Sequence, residues 1–92
     1  MAKSRLQEDR EHCFFCGRPS TDEHHIFNGP YRKRSEEDGM VVYLCRWCHM
    51  YLHEHPGKAK MLKLKAELIW ESVYGDREAF IKRYGKNYGT DR

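Results

Sequence analysis

Two pairs of cysteines constrain this chain more than any other feature of its sequence. Cys13 and Cys16 form the first pair, Cys45 and Cys48 form the second, and two residues separate the cysteines of each pair. That gap lets two neighbouring thiolates bind one tetrahedral zinc ion, and two pairs supply its four ligands. A redox-active or free-thiol pair is the alternative, but it explains a single CxxC better than a repeated one. The sequence therefore predicts one structural Zn²⁺ bound by all four cysteines.

The length and hydropathy of the chain fit a small metal-stabilised domain. Its 92 residues are enough for one domain with a limited apolar core. The mean hydropathy is −0.95, no apolar run approaches the roughly twenty residues that cross a bilayer, and the N-terminus does not read as a signal peptide. We therefore expect a cytoplasmic protein without membrane contact, in a reducing compartment where CxxC pairs bind zinc rather than form disulfides.

The charge is mildly basic and unevenly distributed. Seventeen Lys and Arg against 14 Asp and Glu give a formal net charge of +3, which permits nucleic-acid binding without requiring it. Arg32, Lys33 and Arg34 are consecutive cations, and further lysines lie on a helix predicted from Lys58. A solvated surface is the ordinary explanation of such clusters. In a loop beside a metal site, however, the three cations are suited to phosphate contacts, and we interpret them as DNA-binding residues.

Local patterns predict two strands and three helices. Residues 21–27 and 40–44 are predicted strands, and residues 46–54, 58–74 and 77–84 are predicted helices. We expect residues 1–10 to form a tail, residues 11–56 a zinc-braced core, and residues 57–92 a helical extension packed on that core. The apolar positions of the long helix are predicted to face the core; they are Met61, Leu62, Leu64, Leu68, Ile69 and Val73.

Two histidines follow the second cysteine pair at helical spacing. His49 and His53 are four residues apart, so a helix over residues 46–54 places both imidazoles on one face. Together they offer two nitrogen ligands to a second metal ion. His55 is a poorer choice than His53 because it leaves this register.

The combined order of these motifs resembles the HNH endonuclease family. The resemblance covers roughly residues 11–56 and is nearest to small HNH proteins encoded by bacteriophages and their hosts. It implies a small α+β metal-bound domain, with a ββα-metal (treble-clef) core, a short β-hairpin and C-terminal helices. The residues that carry it are Cys13, Cys16, His24, His25, Cys45, Cys48, His49 and His53.

The resemblance also implies roles for the histidines. His24 would be a ligand of the catalytic divalent ion (Mg²⁺, Mn²⁺, Ni²⁺ or Zn²⁺) together with His49 and His53, and His25 would be the general base. An imidazole that titrates near neutral pH is suited to deprotonating water, and a divalent ion to stabilising the anionic transition state. Successive strand residues point to opposite faces, so His24 and His25 share one site only if the strand bends or ends beside them.

The chain departs from the family pattern at one position. Members of the family carry a middle Asn several residues before the second CxxC, whereas this region reads Asp38, Gly39, Met40. Asn28 lies too early in the loop to take that role. Either another residue braces the loop, or the site is less well ordered.

The sequence favours metal-dependent hydrolysis of DNA phosphodiester bonds. It leaves open the cognate DNA and the oligomeric state. DNA is the expected partner, and phage packaging or recombination proteins are further candidate partners. A non-catalytic, zinc-stabilised DNA-binding or adaptor module is the alternative, in which the histidines hold no second ion. A structural partner module is a third, and it predicts no nucleic-acid affinity at low salt.

Overall fold

The chain folds as a short antiparallel hairpin interrupted and followed by helices. This computed structural model describes residues 4–88, so residues 1–3 of the predicted tail and residues 89–92 of the predicted extension lie outside the described residues. The small α+β class predicted from the sequence is confirmed. The elements are β1 (Asp22–His25), a 3-10 turn (Gly29–Tyr31), α1 (Arg32–Glu37), β2 (Val41–Leu44), α2 (Arg46–Glu54), α3 (Pro56–Val73) and α4 (Arg77–Tyr84).

The predicted helices agree better with the structure than the predicted strands and loop. Both α2 and α4 have the predicted bounds, and α3 begins two residues early because a proline is tolerated in the first turn of a helix. Both strands are shorter than predicted. The basic run at residues 32–34 belongs to helix α1 rather than to a loop, which corrects the sequence-based expectation.

The two edges of the hairpin differ. On β2, the edge away from β1 is covered by the N-terminal segment: the Ser4 hydroxyl donates to the Val41 carbonyl at 2.5 Å, and the Tyr43 N–H donates to Gln7 Oε1 at 2.8 Å. Residues 4–7 are therefore held against the sheet. A loose tail over residues 1–10 would not make these contacts. Within residues 4–88, β1 pairs with β2 alone, so its other edge has no strand partner.

The core forms where α3 and α4 pack beneath the hairpin. Leu62, Ala66 and Trp70 line the buried face of α3, and the Trp70 ring lies edge-on to Phe80 of α4 with ring centroids 5.5 Å apart. Met61, Leu68 and Val73 were predicted to be core but are 65%, 46% and 47% exposed. A helix packs only one of its faces against the core. On α3 that face is the row of residues that ends in the large ring of Trp70.

A buried carboxylate fixes the helical extension to the hairpin loop. Asp38 follows α1 and is 8% exposed. Its Oδ2 accepts hydrogen bonds from Trp70 Nε1 at 2.8 Å and from Tyr84 Oη at 2.7 Å, and Arg83 Nη2 donates to its Oδ1 at 2.9 Å. This hydrogen bonding raises the pKa of Arg83, so the guanidinium stays charged. Three segments that are distant in sequence, the loop after α1, α3 and α4, are thus joined at one carboxylate.

The chain beyond α4 is also attached. The Tyr88 N–H donates to the buried Glu67 carboxylate at 2.6 Å, and its ring lies 5.6 Å from that of Phe27. These contacts fix Tyr88 on the core. Among the described helices, none is both long and apolar enough to span a membrane.

Candidate metal centres

The four cysteines lie together at the junction of the N-terminal turn and α2. Their sulfur atoms all lie within 4.8 Å of one another, and Cys16 Sγ is 3.6 Å from Cys45 Sγ. Four thiolates bonded to one zinc ion at about 2.3 Å in a tetrahedron would be about 3.8 Å apart. The geometry is therefore compatible with zinc binding, and this cluster could hold the structural Zn²⁺ that the spacing predicts.

The backbone explains how each pair reaches the cluster. Gly17 adopts a left-handed φ of 80°, which allows its N–H to turn back and donate to the Cys13 carbonyl at 3.0 Å. At the other pair, Cys45 is the N-cap of α2, and its sulfur accepts a hydrogen bond from the Cys48 N–H at 3.4 Å. A turn and a helix start thus aim both pairs at one point.

The electrostatics of the cluster favour a bound cation. Burial opposes ionisation of Cys13, but hydrogen bonds from the backbone N–H groups of Cys45 and Cys16 outweigh it and lower the pKa of Cys13 to about 6. Burial and the neighbouring sulfur atoms raise the pKa of Cys48. One thiol ionises easily and the next resists, because a second negative charge beside the first is unfavourable without a cation between them.

A second cluster contains three histidines, which we call the histidine triad: His24, His49 and His53. One ring nitrogen of each lies within 4.8 Å of the others, and the Nε2 atoms of His49 and His53 are 3.2 Å apart. Two nitrogens bonded to one ion at about 2.1 Å, at an angle between about 90° and 109°, are about 3.0–3.4 Å apart. The triad could therefore hold an ion through three imidazoles.

Strand β1 contributes a fourth residue to this cluster. Asp22 Oδ2 lies 2.8 Å from His49 Nδ1. A carboxylate can only accept, so Nδ1 carries the proton, and in the neutral ring the lone pair of Nε2 points toward His53. The sequence analysis missed Asp22, although it stands two residues before His24, and residues at that spacing share one face of a strand.

The protonation of His24 also suits a metal ligand. Burial, followed by the positive charges of His49 and His53, lowers the pKa of His24 to about 4. Its imidazole is uncharged at neutral pH, which leaves a lone pair for a cation.

His25 lies apart from the triad. In the regular strand β1, His24 is opposite Val42 and His25 is opposite Val41, so their side chains leave by different faces. His25 Nε2 lies 3.5 Å from Glu23 Oε1 and 3.8 Å from Glu36 Oε1. The strand does not bend to bring the two histidines into one ligand set. His25 instead faces two carboxylates, one from its own strand and one from α1.

Ser35 braces the loop between the strands. This fully buried residue accepts a hydrogen bond from the Phe27 N–H at 3.2 Å, and its hydroxyl donates to the Met40 carbonyl at 2.5 Å. Phe27 follows His25 by two residues and Met40 precedes β2, so the hydroxyl joins the two ends of the loop. The sequence carries no local signal for this role, since an isolated serine in a polar segment is usually exposed.

The three basic residues of α1 do not share one environment. Arg32, Lys33 and Arg34 are all exposed. Arg34, however, donates through Nη1 to the Arg83 carbonyl at 2.7 Å and lies over the Tyr31 ring at 5.9 Å. Arg34 is thus engaged with the C-terminal end of α4, whereas Arg32 and Lys33 extend from the surface.

Two open cavities adjoin the metal centres. The smaller, about 220 Å³, lies against the triad and is lined by His24, Ile26, Asn28, Leu52, His53, Pro56, Ala59 and Lys63. The larger, about 950 Å³, is a mainly apolar groove beside the cysteine cluster; its walls include Phe14, Phe15, Tyr51, Met61 and Leu62. Trp47 lies on α2 between the two cysteines of the second pair and is 73% exposed.

Comparison with known proteins adds no family to these observations: no family model, curated protein or solved structure matches the chain.

Proposed function

We propose that this protein is a metal-dependent endonuclease of the HNH type, which hydrolyses DNA phosphodiester bonds. The observation that carries the proposal is the histidine triad, assembled from β1 and α2, with Asp22 fixing the ring of His49 at 2.8 Å. Three imidazole ligands leave further coordination positions of a divalent ion to water or substrate, as in catalytic rather than structural sites.

The order and pairing of the elements support a specific type of fold. β1 pairs with β2, α2 follows β2, and the triad is built from β1 and α2, with the second cysteine pair at the start of α2. We infer that they form a ββα-metal module with a treble-clef zinc. Ser35 takes the bracing role of the missing Asn, because its hydroxyl bonds to both ends of the loop.

The residues of the chain divide the chemistry between the two faces of β1. A substrate phosphate along the unpaired edge of this strand would have His24 on one side and His25 on the other. His25 takes a proton from the attacking water, and the carboxylates of Glu23 and Glu36, 3.5 and 3.8 Å from its Nε2, stabilise the positive charge that it gains. His24, His49 and His53 would hold a divalent ion, which would supply Lewis-acid stabilisation of the charge on the departing oxygen. The His49 ring stays oriented throughout because Asp22 holds its other nitrogen.

Exchanging single histidines separates proton transfer from coordination. We expect His25→Ala to lower plasmid cleavage by about a hundredfold or more while divalent-ion and DNA affinity remain near those of the parent. We expect His24→Ala and His49→Ala to lose the ion. Calorimetric titration of Mn²⁺ or Ni²⁺ into each zinc-replete variant, beside a plasmid-nicking time course, measures both quantities.

A matched control is available in His55, an exposed histidine that stacks on Tyr51 with ring centroids 3.8 Å apart. The His55→Ala variant should cut and bind ions like the parent. Equal loss of ion affinity in His25→Ala and His24→Ala would contradict the division of roles.

A non-catalytic zinc-stabilised adaptor is the second candidate. It is favoured by the separation of His25 from the triad and by the exposed apolar side chains around the larger groove, where Phe15 is 50% and Met61 65% exposed. The same assay distinguishes it: an adaptor would leave plasmid intact with every divalent ion tested.

A further inference from the structure

The smaller cavity places two further donors beside the histidine triad. His24 and His53 form part of its wall, and Asn28 and Lys63 form another part. Its volume of about 220 Å³ exceeds that of a single water, about 30 Å³. The cavity therefore has room for an anionic group that reaches the triad.

Neither polar residue is committed to a structural task that would keep it from a ligand. Asn28 is the N-cap of the 3-10 turn, yet its side chain makes no capping hydrogen bond. Lys63 is half-buried on α3, and its ammonium lies 5.6 Å from the centroid of the Tyr88 ring, a contact that orients the chain without neutralising its charge.

We propose that Lys63 and Asn28 form a phosphate-binding subsite that holds the substrate backbone against the histidine triad. Lys63 binds a non-bridging phosphate oxygen through its charge, and the Asn28 carboxamide donates a hydrogen bond to the same group. Helix α3 is then part of the active site and not only a support for the hairpin. This inference rests on the proposed nuclease function, since it names the group that the cavity would receive.

The probe is a fluorescein-labelled DNA duplex of random sequence, titrated with zinc-replete protein without added divalent ion. Each phosphate contact contributes about 0.9 to the slope of log affinity against log salt. We expect Lys63→Ala to lower affinity about tenfold and to reduce that slope by about 0.9, the contribution of one phosphate contact. Asn28→Ala should lower affinity severalfold without changing the slope, because no charge is removed. Lys63→Arg should keep the slope.

Lys82→Ala is the matched control, since Lys82 is an exposed lysine on α4 that lines neither cavity. It should change affinity by less than twofold. Equal effects of Lys63→Ala and Lys82→Ala on affinity and slope, or no DNA binding by the parent, would overturn the subsite.

Plasmid cleavage and Mn²⁺ titration of the same proteins separate this inference from the function on which it rests. We expect Lys63→Ala to cut more slowly while its ion affinity is kept. A parent that cuts, with a Lys63→Ala variant that cuts and binds DNA equally well, would reject the subsite alone. If the parent leaves plasmid intact with every divalent ion tested, but its salt slope depends on Lys63, the nuclease function is rejected and the phosphate subsite is retained.

Discussion

At the scale of single residues, the two nitrogens of the His49 ring have separate partners. Nδ1 lies 2.8 Å from Asp22, and Nε2 lies 3.2 Å from His53. A carboxylate behind a ligating imidazole fixes both its tautomer and its orientation, and it increases the basicity of the nitrogen that faces the metal. Asp22 is accordingly expected to act on the metal without touching it.

Removal of Asp22 should weaken the ion of the triad and leave the structural zinc in place. We expect Asp22→Ala to lower divalent-ion affinity by about 10–100-fold, the usual effect of losing such a partner. Titration of Ni²⁺ into zinc-replete protein measures the change. Glu11→Ala removes an exposed carboxylate outside the triad and is the charge control. Equal affinities in these two variants would show that Asp22 does not orient the ligand.

At the scale of elements, helix α2 carries residues of both candidate metal centres. Its N-cap and third residue are Cys45 and Cys48, His49 follows Cys48 directly, and His53 lies one turn further on. A nine-residue helix has little stability of its own in water. The cysteine cluster should therefore hold α2 in place, and the triad should depend on that cluster but not the reverse.

This dependence predicts an asymmetry between two substitutions. Cys48→Ser should leave the chain unfolded or molten, with less than about half an equivalent of zinc, because structural zinc contributes on the order of 10 kcal/mol to such domains. His53→Ala should keep about one equivalent of zinc and a cooperative unfolding transition, and lose only the second ion. Elemental analysis and circular dichroism of the two reduced proteins check both statements. Loss of the structural zinc from His53→Ala would contradict the ordering.

Helix α1 divides its cations between two tasks. Arg32 and Lys33 are exposed, so changing both to Ala should weaken DNA binding about equally for all sequences and reduce the salt slope by about two contacts. Arg34 donates to the Arg83 carbonyl at 2.7 Å, so Arg34→Ala should instead lower the free energy of unfolding by about 1 kcal/mol. Anisotropy titrations and urea unfolding separate the two effects. A loss of DNA affinity in Arg34→Ala as large as in the double variant would reject the division.

The parts of the fold that sequence predicts are those set by local contacts. Helix α4 has its predicted bounds because Asp76 accepts from the Ala79 N–H at 2.9 Å and Gly85 ends the helix with a φ of 86°. The grouping of Cys48, His49 and His53 follows from their spacing along α2. By contrast, Ser35 and the approach of Glu36 to His25 depend on how α1 packs under the strands, and no local pattern encodes that packing.

At the scale of the whole molecule, Asp38 joins the loop of the hairpin to the last two helices. Trp70, Arg83 and Tyr84 all donate to this one carboxylate. Within residues 4–88, every buried side-chain polar atom has a hydrogen-bond partner. The network is therefore fully satisfied, and removing its single acceptor takes this partner from the buried Trp70 Nε1 and takes hydrogen bonds from Arg83 and Tyr84 as well.

The stability of the extension should depend strongly on this carboxylate. We expect Asp38→Ala to lower the free energy of unfolding by about 3–5 kcal/mol, as when one partner of a buried ion pair is removed. Glu37→Ala is the control: its ion pair with Arg83, at 3.1 Å, is solvent-exposed and should contribute less than about 1 kcal/mol. Urea unfolding of zinc-saturated protein measures both. Similar losses in the two variants would show that burial of the network does not determine its contribution.

The two tryptophans give the molecule a built-in pair of optical probes. Trp47 stands between Cys45 and Cys48 with 73% of its surface exposed, whereas Trp70 is 4% exposed beside Asp38. A soluble quencher will reach the first indole and not the second, so their emissions are separable without a label. Trp47→Phe isolates the signal of the extension and Trp70→Phe that of the cysteine region. Rapid mixing with a chelator can then measure how fast the cysteine region and the helical extension each lose their structure.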